Sequence, residues 1–123
     1  MGLTNIRAKL TRPSGRGRAL SVRFTVDSGA LYSVLPEGTW RALQLRPGRT
    51  AEFVLADGTA ITRRVSECRF EIAGQAATSP VVLGQGDDDA LLGAVTLETL
   101  GLMLNPLNRE VVPMRLMLLA RRG

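Results

Sequence analysis

Cys68, Phe70 and Ile72 alternate with Glu67, Arg69 and Glu71. A period of two sends the apolar set to one face of a strand and the charged set to the other, which a helix does not do. The alternation closes a run, Ala60–Ile72, that reads as one long strand. Just before it stands the turn Ala56-Asp57-Gly58-Thr59. Asp-Gly between two apolar-containing runs is a strong hairpin signal, so Ala51–Leu55 is expected to pair back onto Ala60–Ile72. Cys68 is then a core residue rather than a reactive thiol. A chain built on such a hairpin is expected to be mainly β. Its thirteen glycines and six prolines fit many turns and short strands, and with only 4% aromatic residues its core must be aliphatic. At 123 residues it fits one domain, 1–123.

The remaining elements follow the same punctuation. Thr4–Thr11 alternates Ile6, Ala8 and Leu10 with Asn5, Arg7 and Lys9, a half-buried strand. Pro13–Gly17 is a turn, and Ala19–Val26 completes a hairpin. Leu31–Leu35 is a short strand. Pro36 suits the first turn of a helix over Glu37–Leu43, with Trp40 and Leu43 at helical spacing. Ala77–Leu83 is a strand whose Pro80 argues for a sheet edge. Gly84–Asp89 carries three consecutive aspartates and reads as a solvated acidic loop; calcium-loop spacing is absent. Ala90–Gly93 is a short buried strand, Val95–Leu100 a helix with Gly101 at its C-cap, Leu102–Leu104 a strand, and Glu110–Pro113 a last strand before an apolar tail.

Composition removes several chemistries. There is no histidine, which excludes Ser-His-Asp and Cys-His nucleophile schemes and His-based zinc sites. One cysteine allows no intrachain disulfide and no cysteine-pair metal site. No metal or other cofactor is expected. The first twenty residues carry charges throughout and lack the apolar core of a signal peptide, and no run reaches membrane-spanning length. A reducing cytoplasm is the simplest compartment. The net charge of +5 and the basic N-terminal third could suit an anionic partner. No aromatic residues interleave the basic ones to stack on bases, so nucleic acid is not the expected partner.

If the chain is an enzyme, carboxylates are its acid and base groups. The best candidate is Asp27. The apolar run Val22–Val26 ends on Asp27-Ser28-Gly29-Ala30, a strand that presents a carboxylate at its tip. The same residue types also make ordinary turns.

Three features stand in one order: the strand ending in Asp27-Ser28-Gly29-Ala30, the hairpin tip Asp57-Gly58, and Leu91-Leu92-Gly93 followed directly by a helix. This resembles the retropepsin-like aspartic proteases over roughly Leu3 to Pro113, leaving 114–123 as a C-terminal tail. Leu91 to Pro113 looks most like the bacterial members. The resemblance implies a closed β-barrel with a flap hairpin and one or two short helices. It implies that Asp27 is the catalytic carboxylate and that Ser28 bonds across a dimer axis. Gly29 would let substrate backbone approach, with Ala30 completing the loop. Ala56, Asp57, Gly58 and Thr59 would form a flap over the peptide, and Leu91, Leu92 and Gly93 would pack beneath the Asp27 loop. In the viral members acidic residues follow the first motif and an arginine follows the second. Here Leu31, Tyr32 and Ala94 stand in those places. The viral ion pair is lost, and the subsites beside Asp27 become more apolar.

One Asp-Ser-Gly per chain supplies one carboxylate, whereas the family's reaction uses two. The resemblance therefore implies a homodimer with one Asp27 from each chain, acting on a peptide or protein substrate. Two alternatives stand beside it: a catalytically inactive retropepsin-like dimerisation or peptide-binding module, and a small basic barrel that binds nucleic acid.

Overall fold

A computed structural model describes residues 4–27 and 29–114. Among these residues nine strands and two short helices follow in the order β1 (Asn5–Thr11), β2 (Leu20–Val26), β3 (Ser33–Leu35), α1 (Glu37–Ala42), β4 (Thr50–Val54), β5 (Ala60–Ile72), β6 (Gln75–Leu83), β7 (Leu91–Leu92), α2 (Ala94–Thr99), β8 (Leu102–Leu104) and β9 (Val111–Pro113). Among the described residues no helix is long and apolar enough to cross a membrane.

β5 organises the sheet because it is long enough to have several neighbours. Its residues 64–72 pair with β6, 60–64 with β4 and 69–71 with β1. The order β1-β2-β7-β3-β6-β5 returns to β1, so six strands close a ring and β4 hangs from it as a hairpin arm. Ring closure leaves the inward faces no choice but to pack on one another. Leu10, Phe24, Leu35, Phe70, Leu83 and Leu92 are all essentially solvent-free. Phe24 and Phe70 meet at 5.8 Å between ring centroids. Each such side chain contributes about 1.5–3 kcal/mol by burial. The outward faces of β1 and β5 carry the charged half of the alternation.

Two sequence expectations are corrected. β6 is not an edge strand: it lies between β5 and β3. Pro80 is accommodated because Val65 sends both of its backbone groups to Gly48 and Arg49, on the edge of β5 away from β6. Glu67, two residues on and opposite Pro80, therefore faces the same way, and Pro80 has no N–H to supply in that pairing. The second correction is the acidic loop. Asp88 is not simply solvated but forms a 2.8 Å ion pair with Arg63 of β5.

The short strand after Asp27 begins at Ser33 rather than Leu31 for a clear reason. The carbonyls of Ala30 and Leu31 accept from the N–H groups of Ala94 and Val95, the free donors of the first turn of α2. α1 is held from its own side by Trp40, whose indole donates to the Gly84 carbonyl at 2.8 Å.

Candidate active site

β2 buries Phe24 and Val26, then releases Asp27 to the surface. The pairing of β2 with β7 continues one residue past the strand, because the Asp27 N–H donates to the Leu92 carbonyl at 3.0 Å. The Asp27 carbonyl accepts from Ala30 N–H at 3.0 Å, and its Oδ1 accepts from Gly29 N–H at 3.0 Å. The carboxylate is thus aimed by its own turn. A β-carbon at residue 29 would stand 3.3 Å from that Oδ1, so glycine keeps the approach to the carboxylate clear. Ser28 lies outside the described residues.

Beneath the turn, Leu91, Leu92 and Gly93 lead into α2. A buried hydroxyl cluster fixes this junction. Ser33 Oγ accepts from Gly93 N–H at 2.9 Å and shares a 2.5 Å hydrogen bond with Thr96 Oγ1, which in turn meets Ser79 Oγ at 2.9 Å. Ser33, Ser79 and Thr96 are all fully buried, so each hydroxyl depends on the others for the partners that water would otherwise supply.

A cleft of about 580 Å³ opens beside Asp27. Asp27, Gly29 and Ala30 lie at one side, and Leu31 and Tyr32 continue that wall. Phe53, Val54, Leu55 and Ala56 of the β4–β5 hairpin face them. Tyr32 and Phe53 meet edge to face at 6.1 Å. Leu31, Val54 and Leu55 are 64%, 71% and 45% exposed and give the cleft an apolar rim. Arg63 and Asp88 also line it. The Arg63 hydrogen bond holds the Asp88 carboxyl below the usual carboxylate range.

Of the flap residues expected from sequence, Ala56 lines this cleft. Asp57, Gly58 and Thr59 form the tip and are not among its lining residues. Gly58 has φ +88°, a left-handed conformation that favours glycine. Asp57 Oδ1 accepts from Thr59 N–H at 2.8 Å, which lowers the Asp57 pKa. Sequence reasoning missed Phe53, Arg63 and Asp88 as cleft residues. Phe53 had a signal in its period-two spacing with Ala51 and Leu55. The Arg63–Asp88 pair joins residues far apart in sequence and had none. Among the described residues no three potential ligand side chains gather as a metal site would require.

A strand-end aspartate under a hairpin arm, set in a closed ring of short strands, is the layout of a retropepsin-like aspartyl protease domain. The family model described as "gag-polyprotein putative aspartyl protease" matches residues 17–99. That match covers more than half of the chain, from before β2 to the end of α2, and the chain belongs to this family. No curated protein matches it.

Proposed function

We propose that this chain is an aspartic endopeptidase whose active site forms when two copies bring their Asp27 side chains together about a two-fold axis. The observation that supports this best is the position of Asp27, exposed at the end of β2 and at the wall of a cleft faced by the β4–β5 hairpin. Two carboxylates about 3 Å apart cannot both ionise, so the pair holds one proton. The ionised member takes a proton from water as that water attacks the peptide carbonyl. The protonated member donates to the carbonyl oxygen, and the tetrahedral intermediate collapses with protonation of the departing amine. Titration belongs to the pair and not to either Asp27 alone.

The other roles follow. Gly29 keeps the carboxylate accessible, and Leu92-Gly93 holds the loop from below. Ala56, Asp57, Gly58 and Thr59 close over the bound peptide, and Ser28 ties the two loops across the axis. Leu31, Tyr32 and Phe53 receive apolar side chains of the substrate. The test is a peptide-library cleavage screen across acidic to neutral pH, with Asp27→Asn protein as the control. Cleavage by the native chain alone supports the reading. Equal cleavage by both removes Asp27 from the mechanism, and cleavage by neither leaves the inactive binding module as the better account.

A further inference from the structure

The edge of β5 that faces β4 and β1 is not covered continuously. β4 ends its pairing at Arg64, and β1 begins at Arg69. From one side the interval is entered by Arg46–Arg49, a segment outside any helix or strand that is nevertheless firmly held. Gly48 N–H donates to the Val65 carbonyl at 2.7 Å, and Val65 N–H to the Arg49 carbonyl at 2.8 Å. Ser66 Oγ donates to the Arg46 carbonyl at 2.6 Å, and Arg64 Nε to the Gly48 carbonyl at 2.8 Å. A β-carbon on Gly48 would fall 2.6 Å from the Val65 oxygen, so glycine is what lets the segment lie this close.

Between this segment and the turn at Arg12–Ser14 a cleft of about 530 Å³ remains. It shares no lining residue with the Asp27 cleft. Arg12, Arg46 and Arg49 line it, against a single carboxylate, Glu67. Among the described residues none of these four forms an ion pair. Leu45, Val65 and Pro80 supply an apolar floor. Arg49 also reaches out of the cleft, its Nη2 donating to the Tyr32 hydroxyl at 3.2 Å, which leaves further guanidinium donors free.

We propose that this cleft docks an acidic peptide segment, with carboxylates on Arg12, Arg46 and Arg49 and an apolar side chain on the floor. Guanidinium groups match carboxylates in a forked geometry, and a backbone already fixed to β5 presents two of them at little ordering cost. A single-stranded nucleic acid fits less well. The cleft has no aromatic side chain for a base to stack on.

The test is fluorescence anisotropy on the full chain, with a labelled peptide of glutamates interrupted by leucines, its lysine counterpart and a single-stranded oligothymidylate. The Asp27→Asn chain is run in parallel, so that peptide cleavage cannot mimic release and the outcome does not depend on the peptidase reading. Saturable binding of the glutamate peptide is expected, weakening as salt rises. The double reversal Arg46→Glu/Arg49→Glu should weaken it about tenfold or more. The milder pair Arg46→Gln/Arg49→Gln should give a smaller loss in the same direction. Arg7→Glu/Arg23→Glu is the control: these residues face each other across β1 and β2, outside the cleft. Either double reversal moves the net charge from +5 to +1, because each Arg→Glu removes two charges. Binding untouched by the control and lost in the cleft variants establishes the site. Equal loss in both would reduce it to net charge. No saturable peptide binding, or tighter binding of the oligothymidylate, would overturn it.

Discussion

Gly93 lies directly against the backbone of Tyr32. A β-carbon on Gly93 would stand 2.6 Å from the Tyr32 carbonyl carbon, 2.7 Å from its oxygen and 2.8 Å from the Leu31 oxygen. All three are backbone atoms, and the loop that holds them also carries Asp27. Gly93→Ala should therefore cost about 1–3 kcal/mol, the range for forcing a methyl group into filled space. Urea unfolding measures it. An unchanged midpoint would show that the loop has room to retreat.

Asp27→Asn should leave that architecture standing. Its N–H to Leu92 and its carbonyl to Ala30 are backbone bonds, and an amide oxygen can still accept from Gly29. Hydrolysis should fall by about a thousandfold or more, since the proposed mechanism loses its base and its shared proton together. Native activity should be highest on the acid side of neutrality and fade as the pair loses its last proton. With no histidine in the chain, a rate still rising at pH 9 would point to another catalyst.

Legibility in the sequence followed the range of the interaction. β5 could be read to its first and last residue, because alternation and the Asp-Gly turn are local signals. Asp27 and Gly93 stood out for the same reason, each ending or following an apolar run. Closure of the ring did not. It depends on Leu10 lying opposite Phe70, a pairing between distant segments that no local pattern encodes. Pro80 misled for a related reason: a missing donor matters only on the side where a partner waits, and the sequence does not say which side that is. The hydroxyls of Ser33, Ser79 and Thr96 look like ordinary polar positions until the fold buries them together.

Asp88 predicts a measurable acid sensitivity. Its pKa is lowered chiefly by the Arg63 hydrogen bond, with both side chains partly shielded, at 29% and 16% exposed. A depressed folded pKa contributes stability above the ordinary value of 3.8 and loses it as pH falls below that. Asp88→Asn should cost about 0.5–1 kcal/mol at neutral pH. The difference from the native chain should shrink toward pH 3. Because the pair lines the Asp27 cleft, KM should rise more than kcat falls. A stability gap that persists undiminished at pH 3 would rule out the charge as its source.

Cys68 predicts the opposite end of the scale. Burial pushes its thiol from 9.0 up to about 12. A raised folded pKa means the neutral thiol is favoured by folding. Its contribution is complete below pH 9 and is lost as pH climbs from 9 toward 12. The native chain should therefore lose about 1.4 kcal/mol per pH unit in that window from this group alone. Cys68→Ala should show a correspondingly flatter profile. Thiol reagents at pH 8 should label Cys68 only as fast as the protein opens. Rapid labelling of the folded chain would mean the thiol is not where the packing of Phe24 and Phe70 leaves it.

The proposed sharing of Asp27 between two chains makes a quantitative prediction about mixtures. Native and Asp27→Asn chains refolded together in equal amounts should pair at random once sedimentation shows the two proteins to dimerise with the same dissociation constant. About one quarter of the dimers then carry two native aspartates, one half carry one, and the rest carry none. If catalysis needs both, about one quarter of the sites are active. If each chain works alone, half are. A titration across mixing ratios separates the two as a square law against a straight line, and needs no knowledge of the natural substrate beyond one cleavable peptide. Dilution of the native protein adds an independent check, with activity per chain falling through the dimer dissociation constant and sedimentation following the same curve. A straight line in the mixing series, together with constant specific activity in a protein that sediments as a monomer, would remove the paired-aspartate mechanism.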